Sequence, residues 1–568
     1  MKRPPDLVYA LDENPPLLVT VLNGIQHVGL IAITLVYPLL IFRLAGLDTR
    51  VIVELICMGM IVLGIGTFLQ SRQWGPVGSG YLCPATFTAA YFGPSLLAVK
   101  AGGLPMLFGM TLFAGALEAV LARFLPRLRA ILPTELSGFV IFMIGITAGI
   151  AGLRSLLSSQ AAPVTLSEWS VGALTLATMV AFNVWGKGAA KMLCALIGLA
   201  VGYLAALSSG LLEKSELTGI EDATWIALPT FQNVSWSFDI AIAASFAIAC
   251  LAAAMKAVGT IAVCQRMNDA EWVRPDMKSA TRGVLADGVA TMVAGAMGAV
   301  GTNTSTPSVG LASATGVASR RVAYAVGALF IAIGLTPKLV ALVAVMPRSV
   351  MVAALLFAVC FIIINGLQVM TSRLLDARRT IVIGLSMLAG AAIEVFPVIA
   401  TEAPAALAPV IGSALVFSTV IALALNLLFR IGVRQRVAIT IARDTVSSGT
   451  VGIGDFLQAQ GKTWGARPEV IARAVFGVEQ LIETVAENCW HEGPLVLEAS
   501  FDEFSLDIRL TYAGEPLDFP DRRPSEQEII ESEDGSRRLA GFMLRRNADS
   551  VRSENRNGQI RVLFHFDH

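Results

Sequence analysis

Gly301-Thr302-Asn303-Thr304-Ser305-Thr306 runs into a short apolar segment, Pro307–Ala318, and Gly75-Pro76-Val77-Gly78-Ser79-Gly80 runs into another, Tyr81–Val99. Both interrupt a chain whose other apolar runs mostly suffice to cross ~30 Å of hydrocarbon. Those runs begin near Leu17, Val51, Leu104, Leu136, Val171, Met192, Ile240, Val284, Val322, Val350, Ile381 and Val410. Together they make about fourteen segments between Leu17 and Gly432, and each interrupted one stands third in its group of seven. Two broken segments at corresponding positions of two halves point to a carrier built from inverted repeats. Irregular backbone at membrane depth must face protein or a cavity, because lipid cannot pair its N–H and C=O groups. The expected fold is therefore an all-α polytopic membrane protein, arranged as a 7+7 inverted repeat, with a soluble domain behind it.

Composition excludes most alternatives. The 568 residues are 55% hydrophobic and only 15% charged, with mean hydropathy +0.69. A soluble chain carries about 25% charge, so a secreted disulfide scaffold, a disordered chain and a soluble single-domain enzyme are ruled out. Net charge is zero and the pI near 6.9, which argues against a nucleic-acid partner. The seven cysteines are scattered, four of them (Cys57, Cys194, Cys250 and Cys360) in apolar runs, and there are four histidines. No CxxC pair, metal cage, catalytic triad or P-loop stands out, so no metal, cofactor or enzymatic activity is expected. The run from Leu17 is too long for a cleaved signal core, so residues 1–16 read as a cytoplasmic N-terminus. Loops that close even-numbered spans hold a roughly two- to threefold excess of Lys and Arg, which places both termini in the cytoplasm.

After Arg436 the chain turns rich in Asp, Glu and Arg, and residues 433–568 read as one cytoplasmic α/β domain. Val475–Trp490 reads as an amphipathic helix. Leu495–Ser500 and Leu506–Tyr512 read as strands about an Asp502-Glu503 turn, and Ile560–His565 as a closing strand.

From Gln26 to about Phe429 the chain resembles the nucleobase/ascorbate transporters, also called xanthine/uracil permeases. Gln26-His27-Val28 is similar to that family's QH motif. Pro307-Ser308-Val309-Gly310-Leu311-Ala312-Ser313-Ala314-Thr315-Gly316 is similar to its signature, [QEP]-N-x-G-x4-T-[RKG]. Ala286-Asp287-Gly288, expected before the ninth span, and Asn426-Leu427-Leu428-Phe429 also match in position. The resemblance implies a core domain (spans 1–4 and 8–11) rocking against a gate domain (spans 5–7 and 12–14) within residues 17–432. It implies short strands in spans 3 and 10, with Ala90 and Tyr91 on the first and Pro307, Ser308 and Val309 on the second. It also implies a homodimer in the plasma (inner) membrane and a solute held between the two broken spans, with a proton or sodium ion as coupling cation. Half-helix N-termini would present donors to that solute, and Tyr91 would stack on a planar ring or simply pack.

Three positions depart from the pattern. Family members carry E-[ST]-x-G-D in span 8, whereas this chain has Lys256-Ala257-Val258-Gly259-Thr260, so Lys256 stands for the Glu and Thr260 for the Asp. In span 10 Pro307 replaces Glu or Gln, and Ser308 replaces Asn. A mid-span lysine costs roughly 2.5–3.5 kcal/mol on insertion scales and so should face a cavity or a partner. It either bonds backbone carbonyls or offers three donors to an anionic or carbonyl-rich solute. His27 is expected to link span 1 to span 3, or else to titrate during transport. Glu54, Glu118 and Glu394 also fall in apolar runs. Glu118, close to Arg123, is expected to serve packing between spans or to lie near the interface rather than to take part in transport, and Asp287 to fix the start of span 9.

The tail holds a second resemblance. Val478–Asn488 is similar to the N-box helix of histidine-kinase-type ATPase domains, in which Glu487 would position a water and Asn488 bind magnesium. The adenine-reading motif survives only as Tyr512-Ala513-Gly514-Glu515-Pro516, and Arg538-Leu539-Ala540-Gly541-Phe542 stands where a lid would be. A degenerate module that binds a cytoplasmic partner is the better reading, because ligand contacts decide function. For the whole chain the leading expectation is a nucleobase transporter, for a purine such as xanthine or urate. The alternatives are a small-anion exchanger, suggested by Lys256, and a solute sensor signalling through the tail.

Overall fold

The computed structural model describes residues 3–5, 7–125, 133–157, 164–212, 223–272, 275–371, 375, 377–396, 398–404, 407–429, 435–441, 452–464, 466, 468–488, 490–502, 505–525, 535–556 and 559–567. Gly432 and Glu503 lie outside them. The chain divides into two units, Met1–Leu427 and Leu428–His568.

The first unit is helical. Its main helices are α1 (Leu17–Ala32), α2 (Val36–Leu44), α3 (Thr49–Ser71), α4 (Phe92–Ala122), α5 (Thr134–Leu157), α6 (Leu166–Trp185) and α7 (Cys194–Ser208). They continue as α8 (Ile240–Asn268), α9 (Met277–Ala296), α10 (Thr306–Thr315), α11 (Arg320–Gly334), α12 (Pro337–Ala344), α13 (Arg348–Met370), α14 (Ala377–Val395) and α15 (Ala414–Phe429). Among the described residues six helical stretches are long and apolar enough to cross a bilayer, and α11 with α12, bent by 82°, would make a seventh.

Three helix pairs organise this unit: α4 with α9, α3 with α11, and α5 with α13. Small residues set their closeness, as in lipid, where packing rather than hydrophobic exclusion drives helix association. A Cβ on Gly64 would sit 2.7 Å from the Gly327 carbonyl oxygen, and one on Gly115 would sit 2.6 Å from that of Gly288. Gly115→Val should therefore destabilise the protein by about 1–3 kcal/mol, read as a lower unfolding midpoint in detergent. An unchanged midpoint would mean that α4 and α9 do not meet there. Two ion pairs join α5 to α14, Glu135–Arg379 at 3.2 Å and Arg154–Glu394 at 3.0 Å.

The two interrupted segments meet. β1 (Ala85–Phe87) and β2 (Thr302–Thr304) pair antiparallel, Ala85 opposite Thr304 and Phe87 opposite Thr302, and all six residues are buried. The strands come a few residues earlier than expected. Ala90 and Tyr91 belong to a 3-10 turn, Ala89–Tyr91, in which the Thr88 side chain accepts the Ala90 N–H. Pro307, Ser308 and Val309 lie in the first turn of α10, because Ser305 caps it and Pro307 has no N–H for a ladder. The helix after β1 breaks at Gly102 and Gly103, and Gly103 takes φ +67°, which a side chain would disfavour. Ala286-Asp287-Gly288 lies within α9, not before it. Asp276 caps that helix by accepting the Lys278 N–H, so a polar first turn precedes the apolar run.

The second unit carries a five-stranded antiparallel sheet in the order β3-β4-β5-β7-β6. The strands are β3 (Gln435–Ile441), β4 (Trp490–Phe501), β5 (Ser505–Gly514), β6 (Ser550–Arg556) and β7 (Gln559–Asp567). Alternate residues such as Leu497, Ile508, Leu510, Val562 and Phe564 form a core with Val478, Leu481 and Val485. Those three come from α17 (Pro468–Asn488), which is joined by α16 (Ile453–Trp464) and α18 (Gly535–Asn547). The expected strands are present, and Asp502 closes the β4–β5 turn by accepting the Ser505 N–H at 2.9 Å. The helix expected over Val475–Trp490 instead starts at Pro468, and Trp490 begins a strand.

Candidate solute site

The β1–β2 crossing is pinned from three helices. The Asn303 amide donates to the Ala253 carbonyl on α8 at 2.9 Å, and Thr291 of α9 donates to the Thr302 carbonyl at 3.1 Å. Thr67 of α3 accepts the Ala85 N–H at 3.0 Å. Asp287 does most to hold the crossing. It accepts the Thr304 N–H at 3.2 Å and the Gln70 amide at 3.0 Å, and the same amide also reaches the Gly283 carbonyl. Asp287 thus ties α9 to α3 and β2 from mid-helix rather than fixing the start of its span.

Lys256 and Thr260 lie one turn apart on α8, beside the start of α10. Thr260 donates to the Lys256 carbonyl at 3.0 Å and so accepts from the Thr306 hydroxyl at 2.7 Å. Among the described residues the Lys256 ammonium has neither a hydrogen-bond acceptor nor an ion-pair partner, and Asp287 acts on it electrostatically from further away. Each of the two helices also has an exposed side. A Cβ on Gly259 or on Gly310 would meet no atom within 4 Å, and Pro307, Gly310 and Ala314 form an exposed stripe along α10. The helix N-terminus itself offers few spare donors, because Ser305 accepts the Ser308 N–H and Pro307 has none. Lys256, one turn of α8 before Thr260, is thus the unpaired strong donor nearest the contact with the start of α10.

The other expected residues point inward. Val309 packs with Leu11, Tyr81 and Ile261 in a buried cluster. Ser308 bonds His27 Nδ1, so His27 ties α1 to the tenth segment and not, as expected, to the third. The reason is that α1 packs on α10 and α11. Ala90 is buried, and the Tyr91 ring lies 6.3 Å from Phe246 and against Gly301. The Tyr91 hydroxyl donates to Glu118 Oε2 at 3.3 Å. Glu118 is wholly buried. Glu54 accepts from Asn233 at 3.0 Å.

In the tail, α17 ends at Asn488, and the side chains of Glu487 and Asn488 lie outside the described residues. The segment expected as a lid is helical. A Cβ on Gly541 would sit 1.9 Å from the Asp518 carbonyl oxygen, so this glycine serves the packing of α18.

Residues 18–399 match the permease family that groups xanthine and uracil carriers. The chain belongs to that family. The protein is a multi-pass membrane protein and a transporter, not an enzyme. The xanthine permease XanQ of Escherichia coli is 28% identical to it over 448 residues, covering 76% of this chain and 95% of XanQ. The E. coli xanthine permease XanP is 27% identical over 445 residues, with 75% and 95% covered. The nucleobase transporter PlUacP of Paenibacillus larvae is 23% identical over 420 residues, with 73% and 95% covered. Among solved structures, the anion transporter SLC26A9 matches with TM-score 0.49 at 10% identity, over 75% of this chain and 67% of that one. The transmembrane domain of the cyanobacterial bicarbonate transporter BicA matches with TM-score 0.46 at 14% identity, over 73% and 99%.

Proposed function

We propose that this permease carries a nucleobase, an oxidised purine such as xanthine or urate, by alternating access, with Lys256 in the role of the family's usual substrate-binding Glu. The observation that carries this reading is an unpaired ammonium one turn of α8 from the Thr260–Thr306 contact at the start of α10, in a chain whose relatives are xanthine permeases. Oxidised purines are planar, rich in carbonyl acceptors and readily anionic, which suits three donors and no acceptor. The solute would lie against Lys256, Thr260 and Pro307. Ser308, Val309, Ala90 and Tyr91 would form the packed floor beneath it, with His27 and Asp287 holding that floor in register.

The same reading takes the chain as fourteen spans in a 7+7 inverted repeat, with both termini in the cytoplasm and the protein in the plasma (inner) membrane as a homodimer. Helix pairing supports the repeat. A shift by seven spans turns the α3–α11 contact into α9–α4 and the α1–α11 contact into α8–α4, and it returns β1–β2 and α5–α13 onto themselves. The core (spans 1–4 and 8–11) would move against the gate (spans 5–7 and 12–14) as an elevator or a rocker. The tail would be a degenerate nucleotide-binding module for a cytoplasmic partner.

Uptake of labelled xanthine, urate and sulfate into proteoliposomes tests the proposal. Saturable uptake of a purine supports it, uptake of sulfate alone replaces it with anion exchange, and binding without flux replaces it with a sensor. Lys256→Glu, which exchanges three donors for an acceptor, should alter the charge preference for solute or the pH dependence of uptake. Uptake unchanged across pH in that variant would remove Lys256 from the site.

A further inference from the structure

Glu118 is wholly buried in α4, and the proposed mechanism leaves it unused. One carboxyl oxygen, Oε2, accepts the Tyr91 hydroxyl, while the other, Oε1, has no hydrogen-bond partner. Among the described residues no lysine, arginine or histidine pairs with it. The titratable groups facing it are Tyr91 from the turn after β1, Cys250 from α8 and Asp287 from α9. Lys256, also on α8, acts on Asp287 instead. The remaining neighbours of α4 have their charges engaged elsewhere: Arg43, at the end of α2, holds the Ala344 carbonyl, and Glu135 of α5 pairs with Arg379.

A carboxylate in that position would be an unpaired charge in apolar surroundings, facing a second carboxyl. A carboxylic acid there would be neutral, with the proton on the free Oε1. We propose that Glu118 is a proton-binding site of the carrier, the group through which a proton gradient drives transport. The core seals for movement only when Glu118 carries a proton, and it releases that proton when water reaches α4 on the opposite side. One proton is thus bound and one released per cycle, with no other change in the chain. Tyr91 transmits the state of Glu118, because its hydroxyl reads the carboxyl and its ring presses on Gly301, just before β2. The inference rests on the proposed transport function for its cargo.

The test compares wild type with Glu118→Gln, a neutral mimic of the protonated acid, in proteoliposomes with labelled xanthine. Wild type should exchange xanthine without a gradient and accumulate it when a pH gradient drives protons inward. Glu118→Gln should keep exchange, lose accumulation at least tenfold, and show exchange that no longer varies with pH. Accumulation at wild-type level in that variant overturns the proposal, as does a wild type that exchanges without responding to the gradient. If wild type does neither, the nucleobase reading fails and the proton site is tested separately. A protonated-acid carbonyl band in the infrared, present in purified wild type and absent from Glu118→Gln, supports the site; no difference overturns it. Should Glu118→Gln not fold, Glu118→Asp must shift the pH profile of accumulation, and an unshifted profile is the negative result.

Discussion

Gly310→Phe should abolish purine uptake while leaving the protein folded. A Cβ at Gly310 meets open space on the exposed stripe of α10, so a ring there clashes with nothing in the folded chain. Replacing a helical glycine even favours the helix by up to about 1 kcal/mol. The unfolding midpoint should therefore hold or rise, while the phenyl ring takes the volume a purine would occupy beside Lys256. The expected loss of uptake exceeds about 100-fold, because a filled site is excluded rather than weakened. Gly384→Phe on α14, where a Cβ also meets nothing within 4 Å, is the control and should transport normally. Normal transport by Gly310→Phe would show that the open face of α10 is not where solute binds.

Asp287→Ala should carry the second large effect, on stability. It removes the acceptor for two buried donors, the Thr304 N–H and the Gln70 amide. A buried donor left unpaired costs about 1–3 kcal/mol, so the loss should fall at roughly 2–5 kcal/mol. It should appear as a much lower unfolding midpoint, together with lost transport as β2 loses its anchor. Asp287→Asn keeps one acceptor oxygen and should cost about half as much. A midpoint within the error of wild type for the alanine variant would mean that α9 does not hold the crossing.

The two breaks were legible because Gly, Ser and Thr clusters interrupt otherwise continuous apolar runs, and backbone at that depth needs partners. The strand positions were not. Three-residue strands have no periodicity of their own, and β1 pairs with residues more than two hundred positions away. A local signal for α10 did exist, Ser305 followed by Pro307, which marks a helix start and moves Pro307–Val309 off the strand. The His27–Ser308 bond was beyond reach, since nothing local says which segment α1 will meet.

Glu118 was harder still, because hydropathy reports depth and not the direction a side chain faces. Its spacing of three from Gly115 puts both on one helix face, and a glycine that lets α9 approach implies burial for its neighbour. In the tail, apolar alternation exposed β4, β5 and β7. β6, Ser550–Arg556, is an edge strand that is polar apart from Val551 and gave no such pattern.

The central claim is that solute lies on the open face of α10, beside the β1–β2 crossing, held by Lys256. An experimental structure with xanthine bound tests it most directly. The account predicts the purine over Pro307 and Gly310, with a carbonyl or ring acceptor about 3 Å from Lys256 Nζ. A purine bound elsewhere, or Lys256 pointing away from it into backbone carbonyls, would contradict it.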